Sequence, residues 1–283
     1  MIKRSREFES ADKVHDEVTT WFAREARDLP WRKTTPWGVM VSEFMLQQTP
    51  VVRVLPKWKE WMERWPTPRD LGKAEKSDVI RAWGSLGYPR RALRLWESAK
   101  VISKDHKNEV PSDIEILRTL PGVGEYTASA IASFAFDQSH NVMDINIRRV
   151  YARALDGIEH PPKSLKSYER ERPIFGPTWS KAVMELGAVI CTAKDPKCDL
   201  CPIARSCLWL RNGAPKSEEI RKGQAWHGTK RQCRGQILKS LREKEPRSRD
   251  EFIWDDQAML ETALKELSEE GFITKRGSKY HLA

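Results

Sequence analysis

The chain has 283 residues, with 50 lysines and arginines against 40 aspartates and glutamates and a formal net charge of +10, and its pI is near 9.4. That balance favours a polyanionic partner or an acidic surface. No apolar run approaches the length of about twenty residues that spans a bilayer, so a soluble, cytoplasmic chain with no membrane role is expected. The length is ample for a hydrophobic core and suggests two domains with a small third.

In chain order, the first element of interest is Leu29-Pro30-Trp31-Arg32, followed by a helix that Thr35 and Pro36 are suited to start, threonine as cap and proline at the first position. On this helix Glu43 shares a face with Val39, Met40 and Leu46. A carboxyl among such neighbours is desolvated and its pKa raised, as a general acid working near neutral pH requires. Trp58, Trp61, Met62 and Trp65 repeat at helical spacing, as do Leu93, Trp96 and Ala99 within Pro89 to Asp105. Most of the twelve tryptophans are therefore expected in the core.

Leu120-Pro121-Gly122-Val123-Gly124 is a tight glycine turn feeding a helix from Thr127 to Phe136. Amides exposed at Gly122 and Gly124, with the helix dipole behind them, suit a phosphate whatever the base sequence. Twenty residues after Gly124 stands Asp144, a favoured cap for a helix over Ile145 to Leu155. A helix-like stretch from Met184 to Ile190 leads into Cys191, Cys198, Cys201 and Cys207, separated by six, two and five residues, with Cys233 the one further cysteine. Such crowding, in a chain with no apolar signal segment, asks for a metal rather than disulfides. Zinc is usually met on two well-separated Cys-x-x-Cys knuckles, so a 4Fe-4S cluster fits this unbroken run better.

From Asn212 to Gly223 the composition reads as a linker. Beyond it, Cys233 to Arg242 and Asp256 to Glu269 read as helices, and Phe272 to Arg276 and Lys279 to Leu282 as two strands around Gly277-Ser278, a winged-helix-like shape. Its second helix is acidic, with Asp255, Asp256, Glu261, Glu266, Glu269 and Glu270 against Lys265. It is therefore a poor reader of a DNA groove. The fold class expected is all-α. The expected division is 1-29 plus 137-211 as a cluster domain, 30-136 as a helical barrel carrying the hairpin, 212-223 as linker and 224-283 as the winged-helix-like module.

The glycine hairpin, Asp144 and the four-cysteine order resemble the helix-hairpin-helix glycosylases of the endonuclease III superfamily. With Trp31-Arg32, Ser42-Glu43 to Gln47-Gln48-Thr49 and Tyr126 added, residues 20 to 210 resemble the MutY adenine DNA glycosylases. The resemblance implies a two-lobed fold and removal of adenine opposite 8-oxoguanine or guanine in double-stranded DNA. It also implies a 4Fe-4S cluster on the four cysteines, and a monomer that is cytoplasmic and nucleoid-associated. Glu43 would protonate the departing adenine, Asp144 would support the sugar cation, and Asn146 would organise that carboxylate and the water. Trp31, Arg32 and Glu185 would line the base pocket, Gln48 and Tyr88 would wedge into the duplex, and Thr49 and Leu86 would help read the opposite base. Bifunctional relatives carry a lysine where this chain has Tyr126, and a phenol cannot form a Schiff base, so a monofunctional enzyme is expected. The chain departs from the MutY pattern at Pro50, Pro89, Ile145 and Lys181, and residues 224 to 283 are too few for the Nudix-like domain common there. A mismatch thymine or uracil glycosylase remains open on these residues, as does a non-catalytic DNA-binding regulator with an iron-sulfur switch.

Overall fold

The apolar periodicities become helices throughout the body of the protein. The computed structural model describes residues 2–162, 176–217 and 225–283, with side chains from Lys13 onward. Part of the expected linker, residues 218–223, lies outside them. The helices are α1 (Ile2–Glu25), α2 (Pro36–Leu46), α3 (Val51–Arg64), α4 (Pro68–Gly72), α5 (Lys76–Trp83), α6 (Arg90–Asp105) and α7 (Ile114–Thr119). After these come α8 (Glu125–Phe136), α9 (Ile145–Ala154), α10 (Pro177–Val189), α11 (Leu208–Arg211), α12 (Lys230–Glu243) and α13 (Gln257–Glu269). Among the described residues no helix is long and apolar enough to cross a membrane.

The caps explain several boundaries. Asp144 starts α9 by accepting from the Ile147 amide, and Asp256 starts α13 by accepting from the Met259 amide. Thr229 accepts from the Gln232 amide and so begins α12 at Lys230, ahead of the expected start at Cys233. The two expected strands form, as β2 (Ile273–Arg276) and β3 (Lys279–Leu282), in antiparallel register with Ile273 opposite Leu282. A third, β1 (Arg247–Ser248), was not foreseen and lies on the other side of β3. Two residues carry too little alternation to be read as a strand. The body is thus all-α, and the carboxy-terminal part adds a small sheet.

The contacts divide the chain into two compact units. One comprises Met1–Val39, Ser112–Arg118 and Val123–Arg221, and the other Met40–Pro111, Thr119–Gly122 and Lys222–Ala283. These lines run through different residues from the expected division. In the first unit α1, α9 and α10 meet in a core of Val18, Trp21, Ile147, Val150, Trp179, Val183 and Leu186. Trp179 satisfies its buried indole N–H on the Tyr151 hydroxyl at 2.7 Å.

In the second unit the tail, expected as a separate small module docking on flanking DNA or on the catalytic body, shares its core with the body. Ile80 of α5 and Leu93 of α6 pack with Ile237, Leu241, Leu264, Phe272 and Tyr280. Each fully buried aliphatic or aromatic side chain contributes roughly 1.5–3 kcal/mol, so this shared core is a substantial attachment. The acidic helix, expected to be a poor reader of a DNA groove, has internal partners for part of its charge. Glu266 and Glu270 pair with Arg234 of α12 at 2.9 and 2.7 Å, and Glu270 also pairs with Arg90 of α6 at 2.8 Å. Its charge is used internally to hold the module on α6.

Candidate active site

Each unit carries its own share of the candidate residues. In the second, Glu43 sits on α2 between Ser42 and Phe44 and is only 6% exposed, its helix neighbours Val39 and Met40 being buried with it. Sequence reasoning expected a desolvated carboxyl at this position, and the burial matches. The helix ends at Leu46, and Gln48 then takes φ +52, a left-handed conformation unusual for a side-chain-bearing residue. Tyr88 does the same at φ +45. Each such residue costs roughly 1–2 kcal/mol, and strain of this kind persists only where neighbours enforce it.

The enforcing neighbour is Arg91, which sequence reasoning missed. Its Nη1 donates to the carbonyls of Phe44, Met45 and Gln47 at 2.9, 3.1 and 2.5 Å. Its Nη2 donates to Thr49 Oγ1 at 3.1 Å and to the Gly87 carbonyl at 3.0 Å. One guanidinium therefore ties the end of α2, the Gln48 turn and the Tyr88 turn together. Its charge also lies 5.6 Å from the Tyr88 ring centre. Burial pushes its pKa down to about 10, which leaves it charged at neutral pH. A signal did exist: Arg90, Arg91 and Arg94 crowd the first turns of α6 with no acidic residue there, although the positive end of a helix disfavours cations.

Thr49 and Leu86, expected among the base readers, are both buried, and Thr49 Oγ1 donates to the Leu86 carbonyl at 3.3 Å. They support the two turns from behind. Gln48 and Tyr88 are exposed, and with Phe44, Arg90, Arg94 and Gly122 they line a groove of about 300 Å³. Gly122 adopts φ +79, and a Cβ there would stand 2.6 Å from Arg94 Cβ and 3.0 Å from the Phe44 ring. Only glycine fits both that backbone and that approach.

In the first unit Asp144 lies at the head of α9. Its Oδ1 accepts from the Ile147 amide at 2.7 Å and its Oδ2 from Asn146 Nδ2 at 2.7 Å. Burial raises its pKa, and the hydrogen bonds from Ile147 and Asn146 offset that only in part. Asn146 is held in turn by Arg149, whose Nη2 donates to Asn146 Oδ1 at 2.8 Å and to the Gly187 carbonyl at 2.5 Å. Gly187 permits that approach, since a Cβ would stand 2.8 Å from Asn146 Cβ. Tyr126 is half-buried on α8 against the core formed by α9 and α10. Gly124 caps α8 with extended backbone and is exposed, as a phosphate contact would need.

Trp31 is buried in a short 3-10 turn, and Arg32 reaches Glu185 of α10 at 2.8 Å. The structure adds Arg27, unmarked in the sequence. It grips the same carboxylate with Nε to Oε1 at 2.7 Å and Nη2 to Oε2 at 2.8 Å. Burial alone would raise the pKa of Glu185. The Arg27 hydrogen bond and the Arg32 charge outweigh it and hold the carboxylate below its usual range. Both Glu185 oxygens are thus occupied, and the carboxylate fixes Arg27 and Arg32 in place.

Cys191, Cys198, Cys201 and Cys207 are free thiols, three half-buried and Cys207 buried. Two buried arginines of α9 fasten their loop: Arg149 Nε donates to the Cys191 carbonyl at 2.7 Å, and Arg153 Nη1 to the Thr192 carbonyl at 2.8 Å. Burial above all, opposed by a hydrogen bond from the Ile203 amide and aided by the neighbouring Cys191, Cys207 and Cys198, pushes Cys201 up to about 12. The donors thus fit an iron-sulfur cluster in kind and lie within electrostatic reach of one another. Among the described residues, however, no three metal-binding side chains stand close enough to hold a single ion.

Residues 41–172 match the family described as HhH-GPD superfamily base excision DNA repair protein. An adenine DNA glycosylase of Mycobacterium tuberculosis is 48% identical over 275 residues, covering 91% of this chain and 89% of its own length. Another, from Mycolicibacterium smegmatis, is 43% identical over 268 residues and covers 91% of each chain. Among solved structures, a thermostable thymine-DNA glycosylase superposes with a TM-score of 0.64 at 25% identity, covering 73% of this chain and 99% of that one.

Proposed function

The chain belongs to the adenine DNA glycosylases of the HhH-GPD base excision repair superfamily, and from that premise we propose how its own residues perform the excision and what they excise against. The enzyme is a monofunctional DNA glycosylase that removes adenine. On our reading the adenine is mispaired with 8-oxoguanine or guanine, and the double-stranded DNA is bound by a monomer in the cytoplasm, at the nucleoid.

Glu43 delivers a proton to a ring nitrogen of the adenine as the bond from C1′ to the base breaks and its electron pair leaves with the base. Its burial on α2 is the observation that carries this role. The positive charge left on the sugar is supported by the Asp144 carboxylate, which Asn146 holds. Water adds at C1′ and releases a proton. Trp31 and Arg32, the latter fixed by Glu185, receive the base. Gln48 and Tyr88 enter the duplex from their strained turns while Thr49, Leu86 and Arg91 hold those turns. Gly122 and Gly124 approach a phosphate, and Tyr126 hydrogen-bonds near the sugar.

Identity of 48% with an adenine DNA glycosylase over nine-tenths of the chain, against 25% with a thymine-DNA glycosylase over 73% of it, favours adenine. The test is incubation of the protein with duplexes carrying A opposite 8-oxoguanine, A opposite G, T opposite G and U opposite G, with borohydride present in a parallel set. Base release from the first two alone, with little covalent trapping, is expected. Efficient trapping would overturn the reading of Tyr126, and preferential release of T or U would overturn the substrate.

Cys191, Cys198, Cys201 and Cys207 are proposed to hold a 4Fe-4S cluster, which when bound supplies a covalent cross-link for a loop otherwise fastened by Arg149 and Arg153. Analysis of the purified protein should find iron and acid-labile sulfide in equal amounts. Stoichiometric zinc without sulfide would sink this assignment.

A further inference from the structure

Tyr88 stands 43% exposed on a strained turn, and its ring is gripped from the body by Arg91. Its hydroxyl is held from a second direction, by the carboxy-terminal module: Arg231 Nη1 donates to it at 3.2 Å. Arg231 is itself anchored within that module. Its Nη2 donates to the Ala225 carbonyl at 3.3 Å, and its charge lies 5.1 Å from the ring centre of Trp226, which is 46% exposed. The start of α12, which carries Arg231, is fixed beside α6 by the ion pairs from Glu270 to Arg234 and Arg90.

We propose that Arg231 is a positioning residue that sets the direction of the Tyr88 ring, so that the carboxy-terminal module takes part in reading the duplex through Tyr88 and not through its own acidic helix. The inference rests on Tyr88 being the wedge. A tyrosine ring on a surface turn samples several rotamers unless its far end is tethered. A hydroxyl bound by a cation with a planar, anchored head supplies that tether from the ring's edge, without itself covering a ring face. The usual function of a winged helix, a basic helix laid in a groove, does not suit α13, which carries Glu261, Glu266 and Glu269 against Lys265 alone.

The experiment is a double-mutant cycle on the full chain with Arg231→Met, Tyr88→Phe and both together, read as single-turnover adenine release opposite guanine. Fluorescence of 2-aminopurine placed beside the mismatch reports unstacking of the duplex. Each single variant should slow release by roughly tenfold and lower the fluorescence, as loss of one charge-assisted hydrogen bond does. The double variant should be no worse than either one. Arg231→Lys, which can still donate to the hydroxyl, should restore most of the rate, and affinity of the Arg231 variants for fully matched duplex should be unaltered. Additive effects, or an equal loss of affinity for matched DNA, would show Arg231 acting as a general phosphate contact and overturn the proposal. Tyr88→Ala separates the two readings: if it changes neither release nor fluorescence the wedge itself is wrong, whereas if it abolishes both and Arg231→Met does nothing, only the positioning role fails.

Discussion

Replacing Glu43 by glutamine is expected to abolish adenine release while leaving mismatch binding in place. The amide fills the same buried space on α2, where the carboxyl is 6% exposed, so packing against the helix neighbours is preserved. What it cannot do is give a proton to the departing base. Loss of general-acid help alone should lower the single-turnover rate by roughly 10²–10⁴-fold, and thermal unfolding should shift little. Near-normal release by the variant, measured beside wild type at matched binding saturation, would show that another group is the acid.

The second large effect is at Asp144, where activity and stability should respond oppositely. Its folded pKa is raised by burial, so the native state prefers the protonated form. The sign follows: the stability this group contributes is present below its unfolded pKa, near the ordinary aspartate value of 3.8, and is lost as pH rises through the higher folded value. At neutral pH the ionised carboxylate is therefore a burden on the fold that catalysis requires. Asp144→Asn removes the charge, and asparagine is as good a helix cap for the Ile147 amide. The new amide meets Asn146 Nδ2 donor to donor, which opposes the gain. The expected result is a melting temperature at pH 7–8 that is unchanged or higher, with adenine release slowed by roughly 10²–10³-fold. Wild-type release should also fall on acidification at a pH above the ordinary carboxylate range. A variant that is both inactive and strongly destabilised would mean that Asp144 serves the structure first.

What the sequence disclosed and what it hid divide along a physical line. Local chemistry was legible. Thr35-Pro36, Asp144 and Asp256 announced helix starts, alternation announced β2 and β3, and the face shared by Glu43, Val39 and Met40 announced burial. The residues missed are arginines with distant partners: Arg91 on the carbonyls of Phe44, Met45 and Gln47, Arg149 on those of Gly187 and Cys191, and Arg27 on the Glu185 carboxylate. Carbonyl acceptors have no sequence identity, so even where crowding marks such a donor, as at Arg90, Arg91 and Arg94, no spacing names its partner. The acidic α13 gave no sign of its partner for the related reason that a charge run looks the same whether water or Arg234 faces it. Sequence alone also made the tail look detachable. Because its core includes Ile80 and Leu93, cutting after Gly223 would strip apolar surface from the body, and point variants such as Arg231→Met are the sounder probe.

On the proposal that Gln48 and Tyr88 are the wedge, their two left-handed turns have a consequence for how DNA is searched. Their shapes are fixed through a single guanidinium that also holds the end of α2, so the loss of conformational freedom has already occurred when the chain folds. A probe that meets the duplex in its final form forfeits little entropy at each encounter. It need not reorganise between one base pair and the next, and an enzyme passing over a vast excess of undamaged pairs gains from testing each without refolding its own reading surface.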